Sequence, residues 1–189
     1  MKTQKMLATG LVAFGLFFST ATFAQSEEKT VEVGGAPMYP SKNIVENAVN
    51  SKDHTTLVAA VKAADLVDVL MSDGPFTVFA PTNSAFDKLP KGTVETLLKP
   101  ENKEMLATIL TYHVAAGKWS AKDIMAAIKK GKGKYAFKTV SGGTLTAWMK
   151  GKDLYITDEN GNSAKVTIAD VNQKNGVIHV IDSVVTPKA

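Results

Sequence analysis

The chain has 189 residues, 44% of them hydrophobic and 21% charged, and it contains no cysteine. That length suits one domain with a flexible extension, and that balance supplies a full core, which excludes a disordered or fibrous chain. Without cysteine there are no disulfides, thiolate nucleophiles or cysteine metal sites, so the core alone must hold the fold.

Lys2 and Lys5 begin the chain, an apolar run from Met6 to Phe18 follows, and small or polar residues lead to Ala24. This is the order of a secretory signal peptide over residues 1–24, which predicts export to the periplasm, the exterior or the cell surface. The apolar run is shorter than the roughly 20 residues a membrane-spanning helix needs. Removing Lys2 and Lys5 from 22 basic residues leaves 20 against 18 acidic ones, a nearly neutral mature chain. Every basic residue is lysine. Arginine's planar fork is the preferred tool for phosphates and base edges, so its absence argues against a nucleic-acid partner.

Residues 25–40 are polar, carry Gly34-Gly35 and Pro37, and read as a flexible linker. A domain is expected over 41–187. Asn43 to Val49 reads as a short helix capped by Ser41 or Asn43, and Thr56 to Met71 has helical spacing up to the Asp73-Gly74 turn. Phe76 to Ala80 reads as a buried strand that Pro81 ends, with Thr82 placed as the cap of the next helix. Helical pieces follow at Thr93–Leu98, Glu101–Tyr112 and Ser120–Lys129, the last opened by a capping box from Ser120 to Asp123. The final third holds five β-rich runs separated by Gly142-Gly143, Lys150-Gly151, Asn160-Gly161 and Asn175-Gly176, which predicts a meander. Helices first and strands afterwards argue for an α+β domain.

Three segments in order, GPFTVFAPTNSAF (74–86), ILTYHV (109–114) and NGVIHVIDSVVTP (175–187), carry a resemblance. With TLVAAVKAADLVDVL ahead of them, the chain resembles the fasciclin (fasciclin I) family of extracellular adhesion domains across roughly 41–187. The resemblance implies a compact α+β fold, a twisted β-wedge or sandwich flanked by several short helices. It also implies an adhesive, non-enzymatic role toward a cell-surface or matrix protein or glycan, as a monomer or weak oligomer with no cofactor. A carrier of a small apolar ligand is the alternative, since some fasciclin-like proteins bind carotenoids. Where Asp65 stands, the family often has a glycine in the left-handed conformation. Read physically, the motifs mostly build core, and NGVIHVIDSVV has apolar residues on both alternating faces, as a strand covered on both sides requires.

In animal members of the resembled family the Tyr-His pair is associated with integrin contact. That maps a candidate contact to Tyr112 and His113 with Ile109, Leu110 and Val114. From the residues alone, His113 closes an apolar helix face and reads as a buried histidine satisfied by a polar neighbour such as the Thr82-Asn83 turn. The run Lys129, Lys130, Lys132, Lys134 and Lys138 reads as a solvated, mobile loop, with docking of an acidic polysaccharide as the alternative. His54, His113 and His179 lack metal-ligand spacing, and Asp158 to Asn162 reads as a hairpin turn because its glycine is misplaced for a calcium loop. His179, Asp182 and Ser183 lie on one strand facing different ways, no GxSxG elbow is present, and Gly131-Lys-Gly133-Lys lacks phosphate-loop spacing.

Overall fold

The computed structural model describes residues 28–188, so the expected signal peptide lies outside the described residues. Strands β1 (Val31–Val33) and β2 (Ala36–Met38) form an antiparallel hairpin. The stretch expected as a linker is therefore structured over 31–38. Gly34 and Gly35, with φ of 60° and 72°, make the two-residue turn, a hairpin signal that resembles linker composition. Val33, Ala36 and Met38 are buried, and the Asn47 side chain holds both backbone groups of Tyr39 at 3.0 and 2.8 Å.

Asn43 caps α1 (Ile44–Ala48) through a capping box with Glu46. The expected single helix up to Met71 is two, α2 (Thr55–Ala63) and α3 (Val67–Met71), parted near Asp65, whose φ of 54° is left-handed. Asp65 thus adopts the conformation for which glycine is the easier residue. Next come β3 (Phe76–Pro81) and α4 (Asn83–Asp87), where the Thr82 hydroxyl accepts from the Ala85 amide at 3.3 Å. α5 (Thr93–Leu97), α6 (Lys103–Tyr112), the unforeseen three-residue β4 (Val114–Ala116) and α7 (Ala121–Lys130) follow, the last with the expected Ser120–Asp123 capping box. The meander comprises β5 (Lys134–Lys138), β6 (Thr144–Lys150), β7 (Asp153–Thr157), β8 (Ser163–Gln173) and β9 (Gly176–Ile181).

One sheet has the order β4-β3-β9-β8-β7-β6-β5. β9 runs parallel to β3, and the remaining neighbours are antiparallel. Register shifts in β8 between Val166 and Val171 mark bulges, which bend a strand and strengthen its twist. The ends of the sheet nearly meet, through an Ala115–Thr139 bridge and a 2.8 Å bond from the Val140 amide to the Val114 carbonyl. The result is a nearly closed β-wedge with short helices, the α+β architecture the sequence predicts.

Alternation along β3 and β9 divides the interior in two. Val78, Ala80, Ile178 and Val180 join the helix-side core with Leu57, Leu70 and Leu110. Phe79 and Ile181 join the second core with Phe137, Leu145, Ile156 and Ile124 of α7. β9 is buried at all six positions, the doubly covered strand expected of it.

Candidate functional site

The Tyr112–His113 segment ends α6 inside the molecule. Tyr112 is fully buried; its hydroxyl donates to the Thr144 carbonyl at 2.7 Å and accepts from the Glu159 amide at 3.1 Å. Burial pushes its pKa up to about 12. His113 is 3% exposed. Its Nδ1 lies 2.8 Å from the Ile109 carbonyl, so Nδ1 carries the proton and donates, while Nε2 accepts from the Val185 amide at 3.3 Å. Burial pulls its pKa down to about 4, against smaller opposing effects of the Ile109 carbonyl and the Asp158 charge.

His113 is therefore the packed, neutral histidine that the residues suggest, but its partners differ from the Thr82–Asn83 turn. Asn83 instead accepts from the Thr56 amide at 3.0 Å and donates to the Lys52 carbonyl at 2.8 Å. Leu110 and Val114 are buried too, and Ile109 is half-buried. The contact set mapped by resemblance is thus interior at four of its five positions. The four buried side chains set the junction between helix layer and sheet, because an apolar helix face followed by a strand turns them inward.

The other histidines are also interior. His179 donates from Nε2 to the Trp119 carbonyl at 2.8 Å and accepts at Nδ1 from the Asp170 amide at 3.3 Å. Burial lowers its pKa. It faces away from Asp182, which accepts from the Lys165 amide at 2.9 Å, so no nucleophile, base and orienter assemble there. His54 pairs through Nδ1 with the Ser51 hydroxyl at 2.9 Å, while its buried Nε2 has no hydrogen-bond partner among the described residues. Burial lowers its pKa as well, with the Ala80 backbone and Asp53 pulling the other way. His54 borders an apolar cavity of about 70 Å³ between the helices and the sheet, lined also by Ile44, Leu57, Val61, Leu70 and His113.

Among the described residues, no group of three or more metal-ligating side chains converges. Asp158 is the buried anchor of the β7–β8 hairpin. Its oxygens accept from the Asn160, Asn162 and Thr186 amides at 3.0, 2.8 and 3.0 Å, which makes the segment the turn the residues suggest.

The lysine run departs from the expected mobile loop. Lys129 and Lys130 form the last turn of α7, Lys132 follows at a left-handed φ of 56°, and Lys134 and Lys138 lie on β5. Regular structure wins because Tyr135 and Phe137 alternate with these lysines and pack against Trp119, at centroid distances of 5.2 and 5.3 Å. All five ammonium groups remain on exposed residues.

Beside them lies a feature that sequence reading passed over. Strand pairing sets Lys134, Trp148, Tyr155 and Lys165 side by side in one row across β5, β6, β7 and β8. The rings of Trp148 and Tyr155 stack at 4.9 Å and 22°. The Trp148 indole donates to the Thr157 hydroxyl at 2.8 Å. The next row holds Ala136, Thr146, Thr157 and Ser163. The available signal was parity: Trp148 and Tyr155 share their strands' alternation with Thr146, Thr157 and Asp153, opposite to the core residues Leu145, Ala147 and Ile156.

A β-wedge with two apolar cores and three buried histidines is the scaffold that carries these features. The Fasciclin domain model matches residues 52–187, and the chain belongs to the fasciclin domain family. It is 46% identical over 191 residues, 99% of each chain, to Protein sll1483 of Synechocystis sp.. It is 35% identical over 147 residues to the cell surface glycolipoprotein MPB83 of Mycobacterium bovis, covering 75% of this chain and 59% of that one. Its fold matches the FAS1 domain pair of the insect cell adhesion molecule Fasciclin I with a TM-score of 0.68 at 18% identity, over 83% of this chain and 57% of the other. Among the described residues, no helix is long and apolar enough to cross a membrane.

Proposed function

We propose that the protein is an exported surface module that holds cells or matrix together through contacts with protein or glycan, with no chemistry of its own. The observation that carries this reading is family membership joined to a cell-surface relative. The signal-peptide pattern of residues 1–24 supplies the export route. Supporting it physically, the buried Tyr112, His113, His179 and Asp158 are taken up by backbone partners, which makes them framework. Function then falls to exposed faces. Deleting the gene and scoring attachment tests it: impaired attachment restored by the intact gene supports the module, and normal attachment overturns it.

A second reading, a carrier for a small apolar ligand such as a carotenoid, is favoured by the apolar cavity and the unpartnered Nε2 of His54 beside it. At about 70 Å³ the cavity is several-fold below the roughly 300–1,000 Å³ usual for ligand pockets. A carrier would therefore have to lift the α1–α3 layer from the sheet. Solvent extraction of protein purified from its native host decides: coloured or lipid material supports the carrier, and a clean extract counts against it.

A further inference from the structure

The geometry points to the outer face of the β5–β8 meander as a binding platform for an acidic polysaccharide, centred on Trp148 and Tyr155. This inference rests on the surface-module reading and narrows it to one partner class.

The in-register row Lys134–Trp148–Tyr155–Lys165 crosses three strand spacings, about 14 Å at roughly 4.8 Å each. A chain of pyranose rings laid along that row meets the Lys134 ammonium, the aromatic pair and the Lys165–Asp153 ion pair in turn. Stacking takes up one face of each ring and leaves the other, and the C–H groups of a sugar ring lie favourably against such an electron-rich face. Trp148 is half-buried, and its Thr157 bond and its stacking on Tyr155 hold the ring in place, so little order is lost on binding. The neighbouring row adds Thr146 and Ser163 hydroxyls, which suit a polyhydroxylated ligand.

Charge selects among sugars. Asp153 on this face is already paired with Lys165 at 2.9 Å. Lys134 is exposed and makes no ion pair among the described residues, and Lys138 lies two positions along the same face of β5. Lys129, Lys130 and Lys132 continue the positive field past the strand's start. Carboxylates on a polysaccharide complement that pattern, whereas a neutral glycan leaves it unused. Single-stranded nucleic acid would also stack on aromatics, but a chain without arginine lacks the planar fork such recognition favours.

The test is a binding isotherm of purified protein with alginate, a linear polyuronate, beside dextran and poly(U). We expect alginate to bind in preference to both, with affinity falling as salt rises. Trp148→Ala and Tyr155→Ala should each weaken it about tenfold, the scale of an anchor residue. Lys134→Glu should weaken it at low salt while leaving the melting curve unchanged. Absence of wild-type binding overturns the proposal. So does unchanged binding in folded Trp148→Ala and Tyr155→Ala, or poly(U) bound equally well through the same residues. Should Trp148→Ala fail to fold, Lys134→Glu decides, and unchanged binding there overturns it too. Failure here is distinct from failure of the surface-module reading, which the attachment phenotype of the deletion strain judges separately.

Discussion

The helix-covered side of the sheet and the bare outer side of the meander use the same residue alternation to opposite ends. Over β3 and β9, both parities are apolar, because α1–α6 cover one face and the folded-over meander covers the other. Over β5–β7, inward positions are apolar and outward ones are lysine, threonine, two aromatics, Ala136 and Asp153. The first region therefore carries stability, and the second is free to carry contact. Titratable groups follow the same division: the three histidines are interior and neutral, while the concentrated ammonium groups face water.

The hardest break of this division is Phe79→Ala. Phe79 is fully buried and lies 5.9 Å from Phe137 and 5.8 Å from His179, joining β3 to the meander. Its truncation should cost about 3–5 kcal/mol, read as a fall in the urea midpoint. A loss below about 1 kcal/mol would mean the two layers do not depend on this contact.

Acid comes next. His113 has a folded pKa of about 4 against 6.5 unfolded, so below pH 6.5 the unfolded chain binds the extra proton. Its contribution is fully present above pH 6.5, falls with pH, and is gone near pH 4, a loss of about 3 kcal/mol. His54 and His179 are shifted the same way and steepen the fall. Urea midpoints that stay level from pH 7.5 to 4.5 would contradict a neutral, buried His113.

Much of this was legible before the structure. Capping residues Thr82 and Ser120, the doubly apolar β9 and the Gly-punctuated meander are local signals that appear where the sequence puts them, and of the two caps offered for α1 the structure uses Asn43. What stayed hidden is set by partners distant in the chain. The β1–β2 hairpin is secured by Asn47, whose amide also reaches the Gln173 side chain, so its order could not be read from residues 31–38 alone. Asn175 was read only as a turn residue, yet its side chain bonds the Ile44 amide at 3.1 Å and the Leu70 and Ser72 carbonyls at 2.8 Å. The Trp148–Tyr155 pair needed the β6–β7 register. The resembled motif points to Tyr112 and His113, whose side chains are packed inside the fold.

Smaller effects sharpen the boundary between regions. A Cβ on Gly143 would fall 2.6 Å from Cε2 of Tyr112, so Gly143→Ala should displace the ring and cost about 1–3 kcal/mol in the melting curve. No change there would mean the ring has room to move. Smallest of all, Lys134→Ala on the bare face should leave the urea midpoint within about 0.5 kcal/mol of the parent. A larger loss would place Lys134 in the framework.

The most direct measurement is amide hydrogen exchange with and without alginate on the wild-type protein. The account predicts added protection over residues 134–157, on β5, β6 and β7, and none over 109–116, which holds the family motif at 109–114. Protection at 109–116 with none on the meander would contradict it.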